Sequence, residues 1–384
     1  MSLDFYLMDD LFSDEDKLIR KTVRAFVKQS VLPNIADWYE SATFPKHLIS
    51  KMAELGLLGA NLAGYGCVGL GPTAYGLMMQ ELEAGDSGLR SFVSVQGALV
   101  MYPIYTFGSE AQKEKWLPQL QQGKAIGCFG LTEPSSGSNP GGMKTTAKKV
   151  SDGYVLNGSK YWITNATVSD ICVIWAKTEE GIRGFLVETD RAGVKTQDIP
   201  RKLALRASVT GEVVLSDCKI PKENLLPKSE GLKSALMCLN QARYGISWGA
   251  IGAAVACYEE ALEYTKNRMQ FDKPIAGFQL VQEKLAWMVS EITKAQLVAL
   301  RLAQLKEAKK IEPYHISLAK RNNVWMALEV ARLARDMLGA NGTAYDYHVG
   351  RHMCNLEAVK TYEGTHDIHT LVIGEAVTGI PAYR

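Results

Sequence analysis

The chain has 384 residues, 47% of them apolar and 22% charged, and its 43 basic and 41 acidic side chains leave a formal net charge of +2. That length exceeds one ordinary core and predicts two or three domains of a folded globular protein. No Lys/Arg-rich block stands out, which argues against nucleic acid or an anionic membrane as partner. The apolar run from Leu285 to Leu305 is broken by Glu291, Lys294 and Arg301, so no membrane span is expected.

Residues 1 to about 125 read as helical. Ser13-Asp14-Glu15-Asp16 supplies a capping residue and first-turn acids. Leu18, Ile19, Val23, Phe26 and Val27 then follow the helical period until Pro33 stops the run. Similar patterns fill Leu48 to Leu58 and Ala74 to Glu83. From about 126 to 230 the texture is β. Tyr154-Val155-Leu156 runs into Asn157-Gly158, which predicts a hairpin turn. Ile171 to Ala176, Gly184 to Glu188 and Glu212 to Leu215 are further short strands, together suggesting a small antiparallel sandwich or barrel. From about 231 to 384 the helical period returns over Ala250 to Lys266, Gln279 to Lys309, Tyr314 to Leu338 and Leu356 to Glu375, enough for a bundle. The expected order is a helical domain, a β domain and a helical bundle.

Seven cysteines, at 67, 128, 172, 218, 238, 257 and 354, form no Cys-x-x-Cys pair, which argues against a disulfide framework and for a reducing compartment. The start, Met1-Ser-Leu-Asp-Phe, has neither a signal peptide's apolar core nor a transit peptide's Arg-rich character. A bacterial cytoplasmic location is expected, and a processed organellar protein would look the same.

Some patterns mimic chemistry. Gly64-Tyr-Gly66-Cys-Val-Gly69 spells a dinucleotide fingerprint, but such a motif needs a strand before it, and Lys51 to Ala60 reads as helix. A loop between helices is the better reading. His348-x-x-x-His352 and His366-x-x-His369 have metal-ligand spacing but no third ligand on the same face, so surface or supporting histidines are expected and no metal. Cys128, with no histidine nearby, reads as a packed thiol.

Other patterns accumulate. Phe129-Gly130-Leu131-Thr132, followed by Ser136-Gly-Ser138, combines glycines, hydroxyls and backbone amides suited to a polar ring or a phosphate. Trp162-Ile163-Thr164 adds an aromatic face. Arg268 can grip a diphosphate bidentately, with Gln279 just beyond. Asp336-Met337-Leu338-Gly339-Ala340 ends a helix in a Gly-rich turn. Together they describe a large cofactor with a ring, hydroxyls and two phosphates, held between the β domain and the bundle.

Over essentially its whole length the chain resembles the acyl-CoA dehydrogenase family, and in particular its glutaryl-CoA branch. The motifs are Gly127-Cys-Phe-Gly-Leu-Thr-Glu-Pro134, Trp162-Ile-Thr164, Leu203-Ala-Leu-Arg-Ala-Ser208, Asn240-Gln-Ala-Arg243-Tyr-Gly245 and Thr361-Tyr-Glu-Gly-Thr-His-Asp-Ile-His369. The resemblance implies a mainly α fold with a β middle domain: a helical N-terminal domain over 1–125, a β-barrel over 126–230 and a C-terminal four-helix bundle over 231–384. It also implies FAD, a homotetramer, an acyl-CoA substrate and an electron-transferring flavoprotein as electron acceptor. Phe129 to Thr132, Ser138 and Trp162 to Thr164 would flank the flavin ring. Arg268 and Gln279 would reach the diphosphate and adenosine part, typically across a subunit contact. Asp336 to Ala340, Thr365 and Tyr383 would complete the cofactor site. Leu236, Asn240 and Arg243 would line the acyl-CoA channel, with Ser138, Tyr362 and Gly364 near the ligand.

Glu363 falls on the base position. In some family members the base instead precedes an arginine early in the bundle; here that residue is Ala242, which takes no proton. A thioester α-proton is weakly acidic and needs a placed carboxylate, whose pKa rises in an apolar pocket. Arg90, with Ser91, Ser94 and Glu83 nearby, resembles the branch's grip on a substrate carboxylate; the plainer reading pairs Arg90 with Asp86 or Glu83 on a surface. The resemblance implies oxidation of glutaryl-CoA followed by a second step, loss of CO2 to give crotonyl-CoA. The alternatives are a non-decarboxylating or general short-chain dehydrogenase, or a non-catalytic flavin- or acyl-CoA-binding module. Asn139, Glu375, Tyr383 and the loop from Ala63 to Gly69 depart from the family pattern.

Overall fold

A computed structural model describes residues 4–383. Helix α1 (Asp14–Phe26) starts as its sequence predicts: the Ser13 hydroxyl accepts from the Asp16 amide while the Asp16 carboxylate accepts from the Ser13 amide. Short helices α2 (Ile35–Glu40) and α3 (Leu48–Glu54) follow. The Gly64 to Gly69 loop is a small ribbon, β1 (Ala63–Gly64) paired with β2 (Cys67–Val68), and opens no cofactor fold. Helix α4 (Pro72–Gly85) then leads to α5 (Ser87–Ser94), whose first turn is capped by Asp86, and wider turns over Val95–Met101 carry the chain into α6 (Tyr102–Phe107) and α7 (Glu110–Gln121).

The middle region is one curled seven-stranded sheet: β3 (Gly127–Gly130), β4 (Thr146–Val150), β5 (Gly153–Thr164), β6 (Ile171–Thr178), β7 (Gly181–Glu188), β8 (Val194–Asp198) and β9 (Thr210–Pro221). The order is β3-β6-β4-β5-β9-β8, with β7 also on β6. It is not purely antiparallel, because β6 runs parallel to both β3 and β4. The predicted turn at Asn157-Gly158 is instead a bulge inside the 12-residue strand β5, and the tight turn lies at Ser151-Asp152. The Asn157 side chain bonds Asp217 on β9 in both directions, and Gly158 lies so close to Thr145 that a side chain there would collide. Glycine is present for close approach, not for a turn.

The C-terminal region begins with α8 (Gly231–Asn267), 37 residues long and far longer than the Ala250 to Lys266 expected. A ribbon of β10 (Met269–Gln270) and β11 (Lys273–Pro274) joins it to α9 (Gln279–Glu307) and α10 (Pro313–Met337). The expected single helix from Leu356 to Glu375 is two, α11 (His348–Thr361) and α12 (His366–Thr378), broken at Tyr362-Glu363-Gly364. Helices α4, α8 and α10 share one large apolar core. Among the described residues no helix is long and apolar enough to cross a membrane.

Candidate active site

The helix break forms the site. Helix α11 ends where the Tyr362 amide bonds the Ala358 carbonyl at 2.9 Å, and α12 restarts with Thr365 accepting from the Ile368 amide at 3.1 Å. Between them Glu363 is in the left-handed region at φ +53° and Gly364 at φ +94°. For a residue with a Cβ this conformation costs roughly 1–2 kcal/mol, so neighbouring groups must hold it. Charged donors bond all three carbonyls of the break. Lys320 on α10 donates to the Tyr362 and Gly364 carbonyls at 2.5 and 2.6 Å, and Arg243 on α8 donates from Nε to the Glu363 carbonyl at 2.7 Å. His369 packs under Gly364, where an added Cβ would lie 2.8 Å from its Nε2, and its Nδ1 bonds Ser317 at 3.0 Å.

Next to the break, Arg90 has no side-chain exposure. Its Nε donates to Glu83 Oε2 at 2.6 Å, another Nη donates to the Tyr362 hydroxyl, and its guanidinium lies over the Tyr362 ring, 5.7 Å from the centroid. The pairing with Glu83 is as sequence suggested, but it is buried rather than on a surface. Gly249 on α8 makes room for it, since a Cβ there would strike the Glu83 carboxylate. Ser91 and Ser94 are buried on the same helix. Among the described residues, the buried polar atoms without a protein partner include Arg90 Nη1, Glu83 Oε1, Ser94 Oγ, Tyr75 Oη and Glu363 Oε2. Such orphans cost roughly 1–3 kcal/mol each unless something else satisfies them.

Desolvation raises the Glu363 pKa above the ordinary carboxyl value, against the pull of Arg90, Lys320 and Arg243. Desolvation brings Lys320 down to about 7, opposed by Glu363 and reinforced by Arg243 and Arg90. Burial works against the charge on Arg90, but Glu83, Tyr362 and Glu363 outweigh it and keep the guanidinium protonated.

The sheet contributes a second cluster. The Tyr161 amide bonds the Thr132 carbonyl at 2.8 Å, which lays Phe129 to Thr132 beside Trp162 to Thr164. A register shift in β5 between Lys160 and Ile163 and a left-handed Trp162 at φ +61° turn its indole outward, where it is 57% exposed. Phe129, Gly130, Leu131 and Ile163 are buried; Ser138 is exposed. Phe129 shares a core with Ala235, Cys238 and Ala242, so this cluster meets the first half of α8, which carries Leu236, Asn240 and Arg243 at helical spacing.

Arg268 and Gln279 lie at the other end of α8. There Arg268 lines an open cleft of about 460 Å³ with Tyr264, Asn267 and Asn341. Asp336 is ion-paired to Lys284 at 2.5 Å; Met337 and Leu338 are buried, and Gly339 and Ala340 form the exposed turn at the same end. The 25 residues from Arg243 to Arg268 span roughly 37 Å at about 1.5 Å per residue. One chain therefore does not bring Arg268 and Gln279 to the Trp162 cluster. Tyr383 is exposed.

His352 and His369 are buried rather than on the surface, and no metal-ligating cluster occurs among the described residues. Cys128 is a packed thiol as read. Sequence reasoning missed Tyr75 and Lys320. Lys320 was detectable: Ile316, Ala319, Lys320, Asn323 and Val324 lie on one helical stripe, and a lysine on a buried stripe is unusual.

Three models of one family match in chain order: acyl-CoA dehydrogenase N-terminal domain over residues 13–124, middle domain over 128–218 and C-terminal domain over 229–378. The chain belongs to the acyl-CoA dehydrogenase family and is an enzyme of that class. Among solved structures it is similar to a glutaryl-CoA dehydrogenase from Mycobacterium smegmatis, at 51% identity and a TM-score of 0.98 with 100% of both chains covered. A structure from the same organism in complex with FADH2 aligns at 50% identity and a TM-score of 0.99, again over both full chains. The rat mitochondrial short-chain specific acyl-CoA dehydrogenase is 35% identical over 367 residues, 93% of this chain and 88% of that protein.

Proposed function

We propose that the chain oxidises glutaryl-CoA across its α,β bond and then decarboxylates the product to crotonyl-CoA and CO2, with Glu363 as the base. Acyl-CoA dehydrogenation is the family's reaction and FAD its cofactor; when bound, FAD takes up the β-hydrogen as hydride. The residues fit that group. The outward Trp162 face beside Thr132 and Thr164 suits the ring, and the Arg268 cleft suits a diphosphate. Because these lie at opposite ends of α8, the separation supports a homotetramer in which a second chain brings Arg268 and Gln279. An electron-transferring flavoprotein is the proposed acceptor and the bacterial cytoplasm the proposed location.

Glu363 Oε2, buried and without a partner among the described residues, has a lone pair available for the α-proton, and its raised pKa brings its proton affinity nearer to that of the thioester. One observation carries the choice of substrate: the buried Arg90 Nη1 and Ser94 Oγ, one helical turn apart on α5, have no partner among the described residues, and Arg90 lies near enough to Glu363 to act on its charge. A methyl-ended chain would leave them unsatisfied; a terminal carboxylate would accept from both. In the second step the bond to that carboxylate breaks and CO2 leaves. The electron pair drains into the thioester as a dienolate, and protonated Glu363 returns its proton to the terminal carbon.

A short-chain substrate is the second reading, favoured by the Glu83 carboxylate, which balances Arg90 before any ligand arrives. Anaerobic mixing of the FAD-loaded enzyme with glutaryl-CoA or butyryl-CoA, following flavin bleaching, separates the two. Faster bleaching by glutaryl-CoA supports the first reading, and faster bleaching by butyryl-CoA the second.

A further inference from the structure

We infer that Lys320 is the positioning residue of this active site, whose ammonium ties the carbonyls on either side of Glu363 together and thereby fixes the carboxylate at the helix break. The inference rests on the reading of Glu363 as base. Lys320 is buried on α10, with 1% exposure, and among the described residues no carboxylate lies at ion-pair distance from it. Its two close acceptors are the Tyr362 and Gly364 carbonyls. Burying an unpaired lysine is costly, so a site that keeps one uses it.

The geometry says for what. Tyr362, Glu363 and Gly364 form no helix and no strand, and Glu363 holds a backbone conformation that disfavours side chains bearing a Cβ. With one cation bridging residues 362 and 364, and Arg243 holding residue 363, the strained bend is fixed from two helices, α8 and α10. The Lys320 ammonium also lies 5.7 Å from the Tyr362 ring centroid, so the ring that contacts Arg90 is held by the same group. The base and Arg90 thus share one support. The charged and titratable groups facing Glu363 are Tyr75 from α4, Arg90 from α5, Arg243 from α8, Lys320 from α10, His369 from α12 and neighbouring Tyr362. Removing Lys320 subtracts one of three cations favouring the carboxylate.

The test uses FAD-loaded enzyme normalised by bound flavin. Lys320→Met should lower kcat on the order of 100-fold, the effect of displacing a reacting group by about an ångström, with KM little changed. Its acid limb should move to higher pH, because a lost cation raises a carboxylate pKa. Lys320→Arg, which keeps the charge and the donors, should return the limb towards its original position. A folded Lys320→Met enzyme with unchanged kcat and limb would overturn the inference. So would a fall in activity explained by lost flavin with the limb unmoved. If Lys320→Met does not fold, Lys320→Arg decides: a folded Arg variant whose limb has moved upward refutes the role. Glu363→Gln run in parallel separates the two claims. If it still turns over, the base reading fails; if it is inactive while Lys320→Met is unaltered, the Lys320 inference alone falls.

Discussion

Replacing both members of the buried pair, Arg90→Gln with Glu83→Gln, removes the charges without leaving either one alone. Both side chains have no exposure, so deleting a single partner would strand a buried charge at roughly 3–5 kcal/mol, and the double change should recover most of that loss. The effect on substrate choice follows from the unpartnered Arg90 Nη1. A carboxylate that loses a charge-assisted bond loses about 1.5–3 kcal/mol, and a carboxylate entering a pocket without counter-charge falls at the upper end. At about 1.4 kcal/mol per decade, kcat/KM for glutaryl-CoA should fall roughly 100-fold. Butyryl-CoA makes no such bond and should keep its rate. The single Glu83→Gln change should do the reverse and lower the KM for glutaryl-CoA, since it leaves Arg90 uncompensated. Steady-state rates with an artificial electron acceptor on both substrates measure the ratio. An unchanged ratio in the double variant would refute the assignment of Arg90 to the substrate's far end.

Glu363→Gln should abolish flavin bleaching by substrate by about 10²–10⁴-fold while thioester binding persists, as measured by stopped-flow absorbance and ligand titration. The pH profile of kcat/KM should fall on its acid side. The carboxylate form is required, and its pKa is raised by burial, so activity is lost as pH drops through a value above the ordinary glutamate range; a limb at or below that range would contradict the buried placement. Gly249→Ala should push on the Glu83 carboxylate and Arg90. Its expected signature is a lower melting temperature, with a larger loss for glutaryl-CoA than for butyryl-CoA.

Much of this was legible in the residues. The three textures, the α1 cap at Ser13 and the motif around Glu363 could be read directly because each is a local pattern. The break at Glu363 was not: apolar residues from Leu356 through Ile368 and Leu371 keep helical spacing across it, and periodicity cannot report that three carbonyls turn to face Lys320 and Arg243. Gly364 followed by Thr365, a left-handed stop and a new cap, was the available signal. Asn157-Gly158 misled for the opposite reason. The pair is a strong hairpin signal taken alone, but its partner is Asp217 on a distant strand, which only the sheet supplies. That Arg90 is buried beside Glu83, rather than on a surface, depends on α8 offering Gly249 at that level, which no local window contains.

The most direct test mixes FAD-loaded enzyme with glutaryl-CoA and an artificial electron acceptor, then identifies the products by mass and traps the gas. Crotonyl-CoA with an equivalent of CO2 is the predicted result. Glutaconyl-CoA alone would contradict the proton-return step, and no turnover of glutaryl-CoA with brisk oxidation of butyryl-CoA would contradict the role given to Arg90.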